Sequence, residues 1–152
     1  MAIIRILKLI IVTGFLSIAT APETAIAEED ESWLIILHGT VSAATTEGFT
    51  LETGPTGIAF TDRPAREVQI VDIARAVDNG WAENGDFRTD PPNASLINEN
   101  TESISVVEIV DANWNKGALQ LRTKNLEGTP PSIGDSIAIT IDESRNSGVW
   151  TK

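Results

Sequence analysis

The chain has 152 residues, of which 22 are acidic and 11 basic, a formal net charge of −11. Cysteine is absent and histidine occurs once, which excludes thiol chemistry, disulfides and cysteine- or histidine-rich metal centres. A surface this negative repels nucleic acid and anionic lipid, leaving cations, basic partners and polysaccharides as the partner classes to consider.

Residues 1–27 read as an export signal. Arg5 and Lys8 make a positive start, an apolar run through Ile18 and Ala19 follows, and Ala25-Ile26-Ala27 has the small-residue pattern of a cleavage site. The apolar run is too short for a stable membrane span. Cleavage after Ala27 would remove Arg5, Lys8 and Glu23, leaving 9 basic and 21 acidic residues and a charge of −12. The expected product is a periplasmic or secreted chain, residues 28–152, forming one β-rich domain. Residues 28–32 are acidic and expected to be a loose tail.

Trp33 to Val41 is apolar and β-branched, as in a buried strand. Gly48 to Thr53 alternates, with Phe49 and Leu51 on one face. Gly54-Pro55-Thr56-Gly57 signals a turn, and Ile58-Ala59-Phe60 a short strand, so the three segments suggest an antiparallel meander. Ile70, Ile73, Ala74, Val77 and Trp81 fall on one helical face, which predicts a short helix over 70–79 stopped by Asn79-Gly80. Residues 80–95 read as loop. Ser103 to Val110 reads as a strand buried on both faces, and Asp111 to Gly117 as a hairpin connection. Leu119, Leu121 and Thr123 alternate, Pro130 to Asp135 is a turn, and Ile137, Ile139 and Ile141 mark the clearest half-buried strand. The predicted fold is mainly β: an antiparallel sandwich or partly closed barrel with one short helix in a crossover.

Two stretches concentrate charge and turn-formers: FTDRPAR at 60–66 and DPPNASL at 90–96. The residue before a proline is held extended, so both are geometrically constrained corners. If they flank a strand–helix–strand crossover, they meet. Arg63 or Arg66 would then fork onto Asp86 or Asp90, while Asp62 and Asn93 bond backbone amides in turns. The same residues admit a functional reading, with Asp62, Arg63, Arg66, Asp86, Asp90 and Asn93 lining a binding site. Asp62 and Asp90 as a carboxylate pair, with His38 or an arginine, would serve a small hydrolase, although nothing in their spacing specifies that chemistry. Charged turn residues are more often structural.

Asp78, Glu83, Asp86 and Asp90, with Asn79 and Asn84, place many oxygens in one region, a composition suited to calcium. They do not follow the spacing of an EF-hand loop, and solvated loop residues are the default. His38 is expected to be a hydrogen-bonded structural residue at the end of its strand. Ser42 or Ser95 would be its partners in a nucleophile set, but the chain has no G-x-S-x-G elbow. Trp33 and Trp81 fit core positions. Trp114, placed in a turn, is the candidate for an exposed ring that faces a ligand, with Trp150 as a further ring.

Phe60-Thr61-Asp62-Arg63-Pro64, then Arg66, Trp81 and Asp90-Pro91-Pro92-Asn93-Ala94, followed by a closing Ile139-Thr140-Ile141-Asp142, resemble a group of secreted prokaryotic proteins. That group pairs F-[ST]-D-R-P-x-R with D-P-P-N-A and has no assigned activity. The resemblance spans about residues 36–142 and departs after the second arginine, at Glu67-Val68-Gln69-Ile70. It implies export and a shared compact fold, and it carries over no catalytic residue. The expectation from all these features is a non-enzymatic exported binding or structural module. It would engage a cation or a surface polymer and need no cofactor, unless calcium is one; the hydrolase is the alternative.

Overall fold

A computed structural model describes residues 33–61, 66–83 and 85–143. The expected leader 1–27, the acidic tail 28–32, Asp62, Arg63, Asn84 and Trp150 lie outside them. Eight strands are described: β1 Trp33–Thr45, β2 Gly48–Thr53, β3 Thr56–Thr61, β4 Val68–Asp72, β5 Asn93–Asn98, β6 Ile104–Asn115, β7 Ala118–Glu127 and β8 Ser136–Glu143. Helix α1, Ile73–Gly80, and a 3-10 turn, Asp86–Arg88, lie between β4 and β5.

Six strands close into an antiparallel barrel in the order β1-β2-β7-β6-β5-β8, with β8 returning to β1. The predicted mainly β architecture, with a partly closed barrel and one helix in a crossover, is therefore what the chain adopts. Period-two alternation fills the interior. Ile35 and Leu37 of β1, Leu51 of β2 and Leu96 of β5 point inward, with Val107 and Ile109 of β6 and Ile137, Ile139 and Ile141 of β8. Outward positions on these strands include His38, Thr50, Ser95, Glu108 and Thr140, with Ile36 and Ala138 among the apolar exceptions.

β1 is long because one edge of it serves two partners. Trp33 to Ile36 pair with β3, and Gly39 to Thr45 pair with β2. A register shift between Val41 and Ala43 bends the strand where its β2 pairing runs. The expected meander is thus corrected: β2 and β3 both pair with β1 and not with each other, and the turn between them is only Gly54-Pro55. β3 and β4 form a hairpin that extends the sheet beyond the barrel.

β4 takes the place of the predicted first helical turn. Ile70 fits the helical spacing, yet it pairs with Ile58 on β3 and is exposed. The helix starts three residues later, where the Asp72 side chain accepts a hydrogen bond from the Arg75 amide at 2.9 Å. It ends after Gly80, as the Asn79-Gly80 pair predicts, and Ile73, Ala76 and Val77 face the core. A side chain at Gly85 would collide with the carbonyl oxygens of Asn79 and Gly80, so only glycine lets the chain pass this close under the helix end.

Three further expectations are corrected. The segment 80–95 contains a 3-10 turn and the start of β5. The connection expected over 111–117 shrinks to Lys116-Gly117, whose φ angles of 48° and 95° suit a two-residue hairpin turn. β6 is buried on one face only, with Ser105, Val107 and Ile109 inward and Ile104 exposed.

Candidate functional site

Phe60 and Thr61 end β3, and the Thr61 amide donates to the Glu67 carbonyl at 3.0 Å while the Glu67 amide donates to Thr61 Oγ1 at 3.0 Å. The first stretch is therefore the connection of the β3–β4 hairpin, not the entry to the helical crossover. Arg66 sits in it at φ 53°, exposed, and joins no ion pair among the described residues. Asp62 and Arg63 lie outside the described residues.

The second stretch turns the chain from the 3-10 segment into β5. The Asp86 carbonyl accepts hydrogen bonds from the Thr89 and Asp90 amides, and the buried Pro92 carbonyl accepts one from the Ile109 amide at 2.9 Å. Asn93 opens β5 opposite Glu108, and its side chain is exposed. Both stretches leave the sheet at one end. Thr61 lies beside Trp33 and Trp33 beside Glu143, two residues beyond the row that joins Ala59, Ile35, Ile141 and Ala94. Two strands stand between them in the sheet, a separation of about 14 Å.

An arginine does tie the crossover together, and it is Arg88. Its Nε donates to the carbonyl oxygens of Trp81 at 2.7 Å and Ala82 at 3.0 Å, at the C-terminal end of α1. Trp81 is 7% exposed and packs its ring on Phe87 with centroids 4.7 Å apart. Among the described residues its buried Nε1 has no hydrogen-bond partner.

His38 lies in the middle of β1, not at its end, and faces outward. Its Nδ1 is 3.1 Å from Glu99 Oε1, and Ser136 Oγ donates to Glu99 Oε2 at 2.6 Å. These two bonds, Ser136 first, hold the Glu99 carboxyl below its ordinary pKa. The order is serine–carboxylate–histidine, so the hydroxyl proton is not directed at the imidazole and no nucleophile is prepared. Neither Ser42 nor Ser95 bonds His38. His38 shares a row with Ala138 and Ile97, whereas Asp90 precedes β5 altogether, so the structure does not bring His38 to Asp90.

Of the residues considered for calcium, Asp78 and Glu83 are exposed at the C-terminal end of α1 and just beyond it, Asp86 opens the 3-10 turn, and Asp90 follows it. Among the described residues, no three histidine, aspartate or glutamate side chains converge closely enough to hold a metal ion.

Two adjoining depressions lie elsewhere, along β6. The strand's register shifts between Ile109 and Asp111. The bulge swings Asp111, Ala112 and Asn113 onto the border of the two. One, of about 310 Å³, opens between the β1–β2 hairpin and β7 and is flanked by Thr50, Gln120 and Arg122. The other, of about 360 Å³, lies between β6 and the end of α1, with Trp114, Trp81, Asp78 and Arg88 on its walls. Trp114 is in β6 rather than in a turn. It is half-buried, and its ring packs on the core. Asp111 accepts from the Ala112 amide at 3.0 Å and stands 3.8 Å from the Arg122 guanidinium.

Asp78 and Trp114 are thus brought together, and Arg88, Asp111 and Asn113 join them. A signal for the last two exists in the sequence. Inward positions run Ser105, Val107, Ile109 and then switch parity to Ala112 and Trp114, a phase slip that marks a bulge. No family model, curated protein or solved structure matches this chain.

Proposed function

We propose that the protein is an exported, non-enzymatic module that binds a neutral polysaccharide in the cleft along the bulged part of β6. The observation that carries this reading is the seating of Trp114. Its indole is supported from below by the core and shares a depression with Asp78, Arg88 and Asn113. An aromatic face takes the apolar C–H face of a sugar ring. Carboxylate, guanidinium and amide groups at its edge meet hydroxyls with donors and acceptors of both kinds. Such binding needs orientation and stacking only, with neither an acid–base pair nor a resident metal. The chain's net charge of −11 disfavours anionic polymers and leaves neutral ones.

Tryptophan fluorescence titrated with a panel of neutral oligosaccharides tests this reading. At least one should shift the emission saturably, and Trp114→Ala should abolish the response. A panel that leaves the emission unmoved, or a response that survives Trp114→Ala, sinks it.

A further inference from the structure

Among the described residues β4 forms the open edge of the sheet, and its outer face is apolar. Val68 is 73% exposed and Ile70 78% exposed, beside Ile58 on β3 at 53%. The register extends this into a grid. Leu34, Phe60 and Val68 lie side by side across β1, β3 and β4, and Ile36, Ile58 and Ile70 form the next row. No charged side chain interrupts these two rows, in a chain with 22 acidic residues. Exposed edges are normally blunted by lysine, proline or a bulge, and β4, with the sequence VQIVD, has none of these.

The hydrogen-bond phase is fixed by neighbouring contacts. The Thr61 amide bonds the Glu67 carbonyl, and the Ile73 amide bonds the Pro55 carbonyl. Backbone groups of Glu67, Gln69 and Val71 are thereby turned toward β3, and those of Val68, Ile70 and Asp72 are turned to the free edge.

We propose that β4 is a homodimer interface, in which β4 of a second copy adds antiparallel to β4 about a twofold axis at Gln69. This register sets Val68 of each copy against Ile70 of the other and lets their outward amides and carbonyls bond. It also brings Arg66 of each copy to Asp72 of the other, so a positive and a negative group meet at both ends of the joint. Moving the axis by one residue to Ile70 keeps the edge bonds but sets Val68 against Asp72 and separates the charges. Charge therefore selects the first register. The joint consists of the edge backbone bonds together with the flank-to-flank contacts of Val68 and Ile70 across the seam, while the outer face of each grid stays open. The paired copies form one continuous sheet with both grids on the same side.

Sedimentation velocity of the protein as processed by an expressing cell, from about 1 to 100 µM, reads the outcome. A dimer should accumulate with concentration. Ile70→Lys and, separately, Val68→Lys should be monomeric throughout, with unchanged far-UV circular dichroism because both positions are exposed. Arg66→Glu should weaken dimerisation about tenfold, and adding Asp72→Arg to it should recover most of the loss. A wild type that stays monomeric at the top of the range overturns the proposal, as does an Ile70→Lys variant that still dimerises. A dimer indifferent to Arg66→Glu overturns the register. A wild-type monomer that instead binds an extended apolar peptide along β4 assigns the edge to another chain and overturns it as well.

Discussion

Arg88 and Trp81 are joined through the backbone: the guanidinium Nε donates to the Trp81 carbonyl at 2.7 Å, and to the next carbonyl, Ala82, at 3.0 Å. These carbonyls lie at the end of α1, where the helix leaves acceptors unsatisfied and concentrates partial negative charge. Arg88→Ala should destabilise the protein by about 1–2 kcal/mol, as expected for hydrogen bonds from a charged donor at a site open to water. Arg88→Lys should recover less than half, because an ammonium lacks the planar fork. Urea unfolding followed by circular dichroism measures both.

The start of the same helix depends on Asp72, whose side chain receives the Arg75 amide. Asp72→Ala should cost about 1 kcal/mol, and Asp72→Asn only a few tenths, since asparagine caps as well as aspartate. Equal losses in the two variants, by thermal or urea unfolding, would assign the effect to charge and not to capping.

Trp81 carries a buried Nε1 with no hydrogen-bond partner among the described residues. An unpaired buried donor costs about 1–3 kcal/mol, which offsets part of what the ring contributes by packing. Trp81→Phe removes the donor and keeps a ring against Phe87. It should change stability by less than about 1 kcal/mol in either direction, well short of the roughly 3–5 kcal/mol of an ordinary large-to-small aromatic truncation. A larger loss in a chemical denaturation curve would show that the indole makes a bond not accounted for.

Glu99 gives the fold a pH dependence of known sign. Ser136 and His38 favour its charged form, so its folded pKa lies below the ordinary value of 4.5. A depressed carboxylate contributes stability that is fully present above that ordinary value and is lost as pH falls through the folded pKa. Ser136→Ala should move the Glu99 carboxyl upward in an NMR titration and flatten the acid limb of stability against pH. No change in either would remove the Ser136 bond as the cause.

Much of the fold is legible wherever one physical signal acts alone. Ile137, Ile139 and Ile141 alternate strictly and line the barrel, and Asn79-Gly80 stops the helix. Reading fails where two signals compete. Ile70 satisfies the helical spacing, but pairing with β3 decides its state, and that pairing depends on a hairpin closed by Thr61 and Glu67. Asp111, Asn113 and Asn115 are turn-formers and predict a turn around Trp114. A two-residue turn at Lys116-Gly117 lets the strand run on past them. The arginine that fastens the crossover was invisible because its partners are main-chain oxygens, which no side-chain pattern announces. The cleft along β6 is encoded in a change of alternation phase, a subtler mark than the clustered charge of the two corners.

The pairing of β1 with β8 has a consequence for how the molecule comes into being. The first and the last described strands are neighbours, joined from Trp33 with Glu143 to Thr40 with Ser136. Ring closure therefore waits for the final segment to emerge during synthesis, and the early strands spend that time with an unfilled seam. A chain cut short before Ile137 would lack the stave that joins β1 to β5 and would leave both with bare flanks, ready to stick to other nascent chains. Premature termination should accordingly yield aggregates and not a smaller soluble product.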